Sequence, residues 1–508
     1  MEVLEGAVRR RKQGGGLKPI ETKAVNGGLE GVVEGEEEEP LSPSARLFHE
    51  PDFNVYIIAI MGSNTKIYPE ILRAQLPHTL LKHPRFSSLQ VLDEHGNMKW
   101  VRTKVDLDKH IIIPDVDPNM DQPDKFVEDY VRNLSTTKID MSKPLWDLHL
   151  LHVRTSQAES VAVFRTHHSL GDGTSLMSLL LACTRKISDP DQLPTIPGRK
   201  KKATESSKGV LKYLFGILFA IRMMWNTVID VLMFLATALF LKDTNTPLKG
   251  GPDAAHTPRR FVHRTVSLDD MKFVKNAMKG TINDVALGIT QAGLSRYLNR
   301  RYGEESKEDK GSTQHRNNLP KNIRLRSTLL INIRPSAGIQ ATDMMEKNTE
   351  AKWGNWIGYV LLPFRIALRD DPLDYIREAK ATIDRKKCSL EAIYTFSIAE
   401  IVLKLFGFKR AGAMSHRILD HTTMGFSNLV GPMEEIGFYG HSMAYLAPSS
   451  YGQPHALMIN FQSYINQMTI VLSVDEKAVP DPDRLLDEIE ESLRLVKQAV
   501  IAKGLQKV

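Results

Sequence analysis

An apolar run, Val161-Ala162-Val163-Phe164, leads within three residues into the heptad His167-His168-Ser169-Leu170-Gly171-Asp172-Gly173, and the helix-like stretch 174–181 follows at once. The run reads as a buried strand, so the chain must turn from strand to helix inside the heptad. That joint constrains the fold to a mixed α/β arrangement and puts a titratable imidazole at a strand end, within reach of a substrate. A neutral imidazole is the side chain best suited to take a proton from a hydroxyl near neutral pH. A metal site and a buried structural histidine are the other readings. Adjacent residues of an extended strand point to opposite faces, so His167 and His168 do not readily share a metal. No cysteine or second histidine cluster adds ligands at zinc spacing.

At 508 residues the chain exceeds what one hydrophobic core serves, so two domains are expected. Residues 1–44 change from basic (Arg9-Arg10-Arg11-Lys12) to acidic (Glu36-Glu37-Glu38-Glu39-Pro40) and read as a disordered tail. A first α/β domain is expected over 45–195. It holds a strand at 53–61, an amphipathic helix at 68–83, and a hairpin of 148–153 and 161–166 that leads into the heptad. Residues 196–255 combine a linker carrying Arg199-Lys200-Lys201-Lys202 with the most apolar stretch of the chain, 210–241. A second α/β domain is expected over 256–508. It starts with helices at 268–279 and 282–300, Thr281 capping the latter, followed by a polar loop at 303–320. A strand at 327–333 closes at Arg334-Pro335, and a hairpin of 456–464 and 468–474 turns near Asn466. A helix at 482–502 carries Leu485, Ile489, Leu493 and Val496 on one face.

A net charge of +7 suits an acidic ligand or an anionic membrane surface. Nucleic acid is a poor partner, because no binding motif and no interleaving of basic and aromatic residues is present. Two cysteines, Cys183 and Cys388, make no disulfide framework, which favours a cytosol-facing environment. The basic N-terminal run has no apolar core behind it, so a secretory signal is not expected.

The heptad resembles the active-site signature of CoA-dependent acyltransferases, the superfamily of chloramphenicol acetyltransferases, condensation domains and wax ester synthases. Pro144-Leu145-Trp146 upstream and Asn283-Asp284 downstream narrow the resemblance to the bifunctional wax ester synthase/diacylglycerol acyltransferase family. Gly354-Asn355-Trp356-Ile357-Gly358-Tyr359 and Ser427-Asn428-Leu429-Val430-Gly431-Pro432 are similar to that family's C-terminal domain, especially in its plant branch. The likeness spans about residues 45–500. It implies two chloramphenicol-acetyltransferase-like α/β domains flanking a substrate tunnel, joined by a linker with a membrane-associated helical insertion. It further implies transfer of a long acyl chain from acyl-CoA to a fatty alcohol, giving wax ester, and to diacylglycerol, giving triacylglycerol.

In that reading His168 is the general base, and no metal or bound cofactor is needed because acyl-CoA enters as a substrate. Asp172 points away and pairs with an arginine that the sequence does not identify. His167 is either a positioning group or a buried, hydrogen-bonded histidine, and Gly173 permits close packing. Pro144, Leu145 and Trp146 read as a turn with a packed aromatic or as binding residues. Asn283 and Asp284 read as helix caps or, by the resemblance, as groups approaching the active centre, with the Asn283 amide on the thioester carbonyl. A silent lipid-binding or scaffold protein on the same fold is the alternative; the intact His168 and Asp172 argue for the enzyme.

Residues 223–241 reach the minimum length of a membrane span but contain Asn226 and Asp230. A single span would put residues 256–508 across the membrane from His168, and an unpaired Asp230 inside it costs several kcal/mol. A helical insertion over 210–241 that lies in the interface, or enters and returns, is therefore expected. The site would face the cytosol at the endoplasmic reticulum membrane, with the plasma membrane a second location. A buried core helix is the alternative.

Overall fold

The computed structural model describes residues 39–117, 119–197, 210–305, 317–334 and 353–505. The tail expected over 1–44 lies outside the described residues as far as 38. Beyond that point Glu39–Pro40 pairs with Met98–Arg102 as a short strand, and the helix Pro43–Leu47 begins behind Ser42, whose side chain caps it.

Two sheets carry the molecule. The first runs, in spatial order, Ile111–Ile112, Trp146–Leu151, Ser160–His167, Tyr56–Ser63, His441–Tyr451, Ile436–Phe438 and Thr184–Lys186. The expected hairpin is present, with Trp146 opposite Thr166 and Leu151 opposite Val161. The helix expected at 68–83 is instead Pro69–Gln75 followed by short 3-10 turns at Leu76–His78, Leu80–Lys82 and Pro84–Ser87. Pro77 and Pro84 have no N–H to donate to an α-helical ladder, which breaks the helix there.

The second sheet runs Ile357–Phe364, Leu325–Asn332, Met424–Leu429, Leu457–Tyr464, Gln467–Asp475 and Arg259–Ser267. Helices Ile282–Glu305, Pro372–Lys387 and Pro482–Ala502 cover it, and Leu485, Ile489, Leu493 and Val496 are all buried as the periodicity predicts. Gly293 lets two of these helices touch: a Cβ there would stand 2.7 Å from Ile489 Cγ1 and 3.0 Å from Ile489 Cα.

The halves are not separate in space. The strand His441–Tyr451 pairs antiparallel with Tyr56–Ser63, placing Leu446 opposite Met61 and Tyr451 opposite Tyr56. Residues late in the chain thus complete the sheet that ends in the heptad.

The apolar stretch forms one helix, Val210–Leu239. Its buried stripe is largely polar. Asn226 Nδ2 donates to Cys388 O at 3.1 Å, and Thr227 Oγ1 accepts from Leu390 N at 3.0 Å. Asp230 pairs with Arg385 and Lys386, and Thr237 accepts from Arg326. The outward side is apolar, with Tyr213 78% and Trp225 66% exposed. A buried core helix is thereby excluded: this helix turns Asn226, Thr227, Asp230 and Thr237 inward with Phe234, and most of its large apolar side chains out.

Candidate active site

The strand Ser160–His167 ends at the first histidine. His167 N donates to Leu145 O at 2.9 Å, and His168 N to Val55 O at 3.0 Å. A single 3-10 turn, His168–Leu170, follows, and the helix Gly173–Ala182 begins behind its N-cap, Asp172. Strand pairing on one side and a capped helix on the other hold the two imidazoles in place.

His167 is enclosed by partners. Its Nδ1 accepts from Ser169 N at 3.3 Å and lies 2.7 Å from the Ser169 hydroxyl. Its Nε2 faces Phe48 O at 3.1 Å and Asn54 Oδ1 at 3.0 Å, so the proton sits on Nε2. Burial, with His49 and His168 close by, drives its pKa well below the usual range. This geometry fits the buried, hydrogen-bonded reading of His167.

His168 carries its proton on the other nitrogen. Asn355 Nδ2 donates to the His168 carbonyl at 2.9 Å, which leaves Asn355 Oδ1 as an acceptor 3.1 Å from Nδ1. Nδ1 therefore holds the proton and Nε2 keeps a free lone pair. Phe48 stacks on the ring, with centroids 4.2 Å apart. Burial lowers the His168 pKa, against the opposing effects of its own backbone, Asp172 and Asn355. Burial thus favours the neutral form of the ring.

Asp172 makes no part of a triad. Its Oδ1 accepts from Ser175 N at 3.0 Å, and its Oδ2 from Arg334 Nη1 at 2.8 Å and Trp356 N at 3.0 Å. Arg334 also donates to Ser175 Oγ at 3.0 Å and Gly354 O at 2.6 Å. This buried pair latches the heptad to the segment that delivers Asn355.

His168, Asp172 and Gly173 line a cavity between the sheets, walled also by Ile57 from the first sheet, by Val55 just before that strand, and by Thr328, Leu330 and Phe426 from the second. Gly173, Ile57, Leu429 and Pro448 are shared with a second cavity. A Cβ on Gly173 would meet Leu429 Cδ2 at 3.2 Å. The second cavity is lined by Trp146, Leu148, Phe164, Leu176, Leu180 and other apolar groups, with Cys183 and Gln462 the only polar ones. A third cavity, between Pro43–Leu47 and the helix Glu391–Asp420, shares Phe48, Ile357 and Tyr359 with the His168 cavity. Each of these two thus shares wall residues with the cavity that holds His168.

The remaining expected residues divide. Trp146 is fully buried, donates to Phe86 O at 2.9 Å, and walls the apolar cavity. Leu145 serves through its carbonyl, which His167 N engages, and Pro144 is buried beside it. Asp284 accepts from Thr281 N at 2.6 Å and donates its own N–H to Thr281 Oγ1 at 3.3 Å, a reciprocal cap. Asn283 is exposed and accepts from Asn428 Nδ2. Neither lines the His168 cavity; Asn283 reaches it only through Asn428, whose neighbours Ser427 and Leu429 do. Phe48, Arg334 and the role of Asn355 escape sequence reading, although Arg334 closes a visible strand and Asn355 stands in a visible motif.

Family models confirm where this constellation belongs. The wax ester synthase/diacylglycerol acyltransferase catalytic domain matches residues 55–286, and the WS/DGAT C-terminal domain matches 353–497. The chain belongs to the wax ester synthase/diacylglycerol acyltransferase family. It is similar to wax ester synthase/diacylglycerol acyltransferase 6 of Arabidopsis thaliana, 52% identical over 489 residues, 92% of this chain and 94% of that protein. Wax ester synthase/diacylglycerol acyltransferase 11 of the same plant is 49% identical, covering 93% of this chain and 97% of its own length. Among solved structures, the family's enzyme from Marinobacter aquaeolei VT8 shares the fold with TM-score 0.56 and 16% identity, over 91% of this chain and 99% of that one. The first condensation domain of the calcium-dependent antibiotic synthetase does so at 0.54 and 12%, over 92% and 97%. The two-domain α/β expectation holds, and the chain is an acyltransferase.

Proposed function

We propose that this acyltransferase moves a long acyl chain from acyl-CoA to a fatty alcohol and to diacylglycerol, with His168 Nε2 as the base. The observation that carries the reading is the free Nε2 lone pair of an Nδ1-protonated imidazole in the wall of a cavity between the sheets, which shares wall residues with a cavity on either side. The alcohol O–H gives its proton to Nε2 as the oxygen attacks the thioester carbonyl carbon. The C–S bond then breaks, and Nε2–H returns the proton to the departing CoA thiolate. General-base catalysis of this kind contributes about 10²–10⁴-fold. The largely apolar cavity behind Gly173 suits the acyl chain. No metal or cofactor takes part, so EDTA should leave the rate intact.

The membrane reading is part of the proposal: the enzyme docks on the cytosolic face of the endoplasmic reticulum without a separating span. A span ending before residue 256 would split the sheet in which His441–Tyr451 pairs with Tyr56–Ser63. Val210–Leu239 packs against the helix Glu391–Asp420, which exposes Ile401, Leu405 and Phe406 next to its break at Gly407 (φ +75°). Arg222, Lys404, Lys409 and Arg410 are exposed on the same two helices and suit anionic headgroups. Purified full-length protein, given acyl-CoA with a panel of long-chain alcohols and diacylglycerol, tests the reaction. Formation of both esters is expected; no ester from any pair favours a silent lipid-binding protein.

A further inference from the structure

The cavity between Pro43–Leu47 and the helix Glu391–Asp420 contains a polar pattern that the mechanism does not use. Two of its lining residues, Arg85 and Trp100, each bring a buried N–H group, Arg85 Nη1 and Trp100 Nε1, with no hydrogen-bond partner among the described residues. Trp100 is 4% exposed, and the Arg85 guanidinium lies over its ring at 4.5 Å. A buried donor left unpaired is destabilising, so two on residues that line one cavity mark a place where a ligand's acceptors belong.

We propose that this cavity takes diacylglycerol, and that Arg85 Nη1 and Trp100 Nε1 hold its ester carbonyls. The inference rests on the acceptor reading above and says which acceptor these residues select. Both free groups are donors, and ester carbonyls are acceptors. Charge argues against the phosphates of acyl-CoA. Arg85 Nη2 is already paired with Glu39 at 2.7 Å, and Glu400 stands in the cavity wall, so a phosphate would bring uncompensated charge into a largely apolar space. A fatty alcohol fits no better. Its one oxygen must reach His168, which leaves both N–H groups dry. Diacylglycerol supplies two carbonyls and still has a hydroxyl for the base.

The route follows from shared walls. Phe48, which lines this cavity and the next, stacks on His168 itself, so the hydroxyl arrives at the base past the Phe48 ring. The outer wall is the helix Glu391–Asp420, through Phe396, Leu403 and Met414. The same helix exposes Leu405 and Phe406 and packs against Val210–Leu239, so the cavity adjoins the apolar surface from which a neutral lipid would come.

The test uses full-length protein on vesicles carrying diacylglycerol or a long-chain alcohol, with acyl-CoA in solution. Trp100→Phe and Arg85→Gln should each raise KM for diacylglycerol about tenfold, with KM for the alcohol and for acyl-CoA moving less than about threefold. The ratio of triacylglycerol to wax ester then falls about tenfold. An unchanged ratio, or a raised acyl-CoA KM with both products falling together, overturns the assignment while leaving the acyltransferase reading intact. Wild-type protein that makes neither ester contradicts that reading instead. A second measurement needs no variant. A diazirine-bearing diacylglycerol should label residues 396–414 of wild-type protein; labelling confined to the apolar cavity near Trp146 overturns the proposal.

Discussion

Two neighbouring imidazoles take opposite tautomers because their partners differ. His167 has an acceptor at Nε2 and a donor at Nδ1, whereas Asn355 presents an acceptor to Nδ1 of His168. Asn355 is therefore a positioning residue, and its loss should free the ring to rotate or change tautomer. Asn355→Ala should lower kcat about 10–100-fold with KM for acyl-CoA little changed. Asn355→Asp reads the same contact through pH. A carboxylate beside Nδ1 favours the imidazolium and raises the His168 pKa, so the acid limb of kcat/KM moves to higher pH than in wild type, where burial holds it below 6.5. An unmoved limb in both variants would contradict the contact. The strand-end position of His168 was legible in the sequence, because the apolar run and the Asp-Gly pair mark it. Asn355 was not: it lies 187 residues away, and one side chain choosing a tautomer leaves no periodic trace.

At the scale of elements, the helix Gly173–Ala182 and the segment before Ile357–Phe364 are joined by the pair Asp172–Arg334, both side chains 3% exposed or less. Removing one partner leaves a buried charge alone. Arg334→Ala should cost about 3–5 kcal/mol, read as a lower denaturation midpoint, and a shift below about 1 kcal/mol would contradict the latch. The apolar helix makes the reverse prediction. Phe219→Glu with Trp225→Glu should abolish sedimentation with anionic vesicles and leave thermal stability almost unchanged, since both residues face outward. Retained vesicle binding would contradict membrane docking through this face. The orientation of that helix was partly legible, because Asn226, Asp230 and Thr237 fall on one stripe at helical spacing. What a polar stripe packs against was not, since Arg326 and Lys386 lie far along the chain. The broken helix after Gln75 was misread for a simpler reason: its apolar spacing is helical, but Pro77 and Pro84 outweigh it.

At the scale of the whole molecule, the first sheet takes strands from both ends of the sequence, and the cavities lie between and beside the two sheets. The strand His441–Tyr451 was not read from the sequence, and nothing in its residues records a neighbour so far back along the chain, so its pairing with Tyr56–Ser63 was beyond sequence reading. The α/β class, the hairpin before the heptad and the closing helix were within it. Burial also leaves a pH signature. His49, His110 and His263 are lowered to about 4, and His83 and His455 to about 3, all chiefly by desolvation. In the unfolded chain each binds a proton near pH 6.5; in the native state it does so only well below. Their share of stability is thus complete above pH 6.5 and is lost as the pH falls toward 4, by about 1.4 kcal/mol per histidine per pH unit. Chemical denaturation at pH 7.5 and 5.5 checks this, and equal midpoints would contradict it. The proposed reaction runs through one nitrogen, in the wall of the cavity between the sheets, so the most direct measurement removes it. In purified His168→Ala, ester formation from acyl-CoA and alcohol should fall about 10²–10⁴-fold while unfolding stays cooperative; a rate equal to wild type would contradict the account.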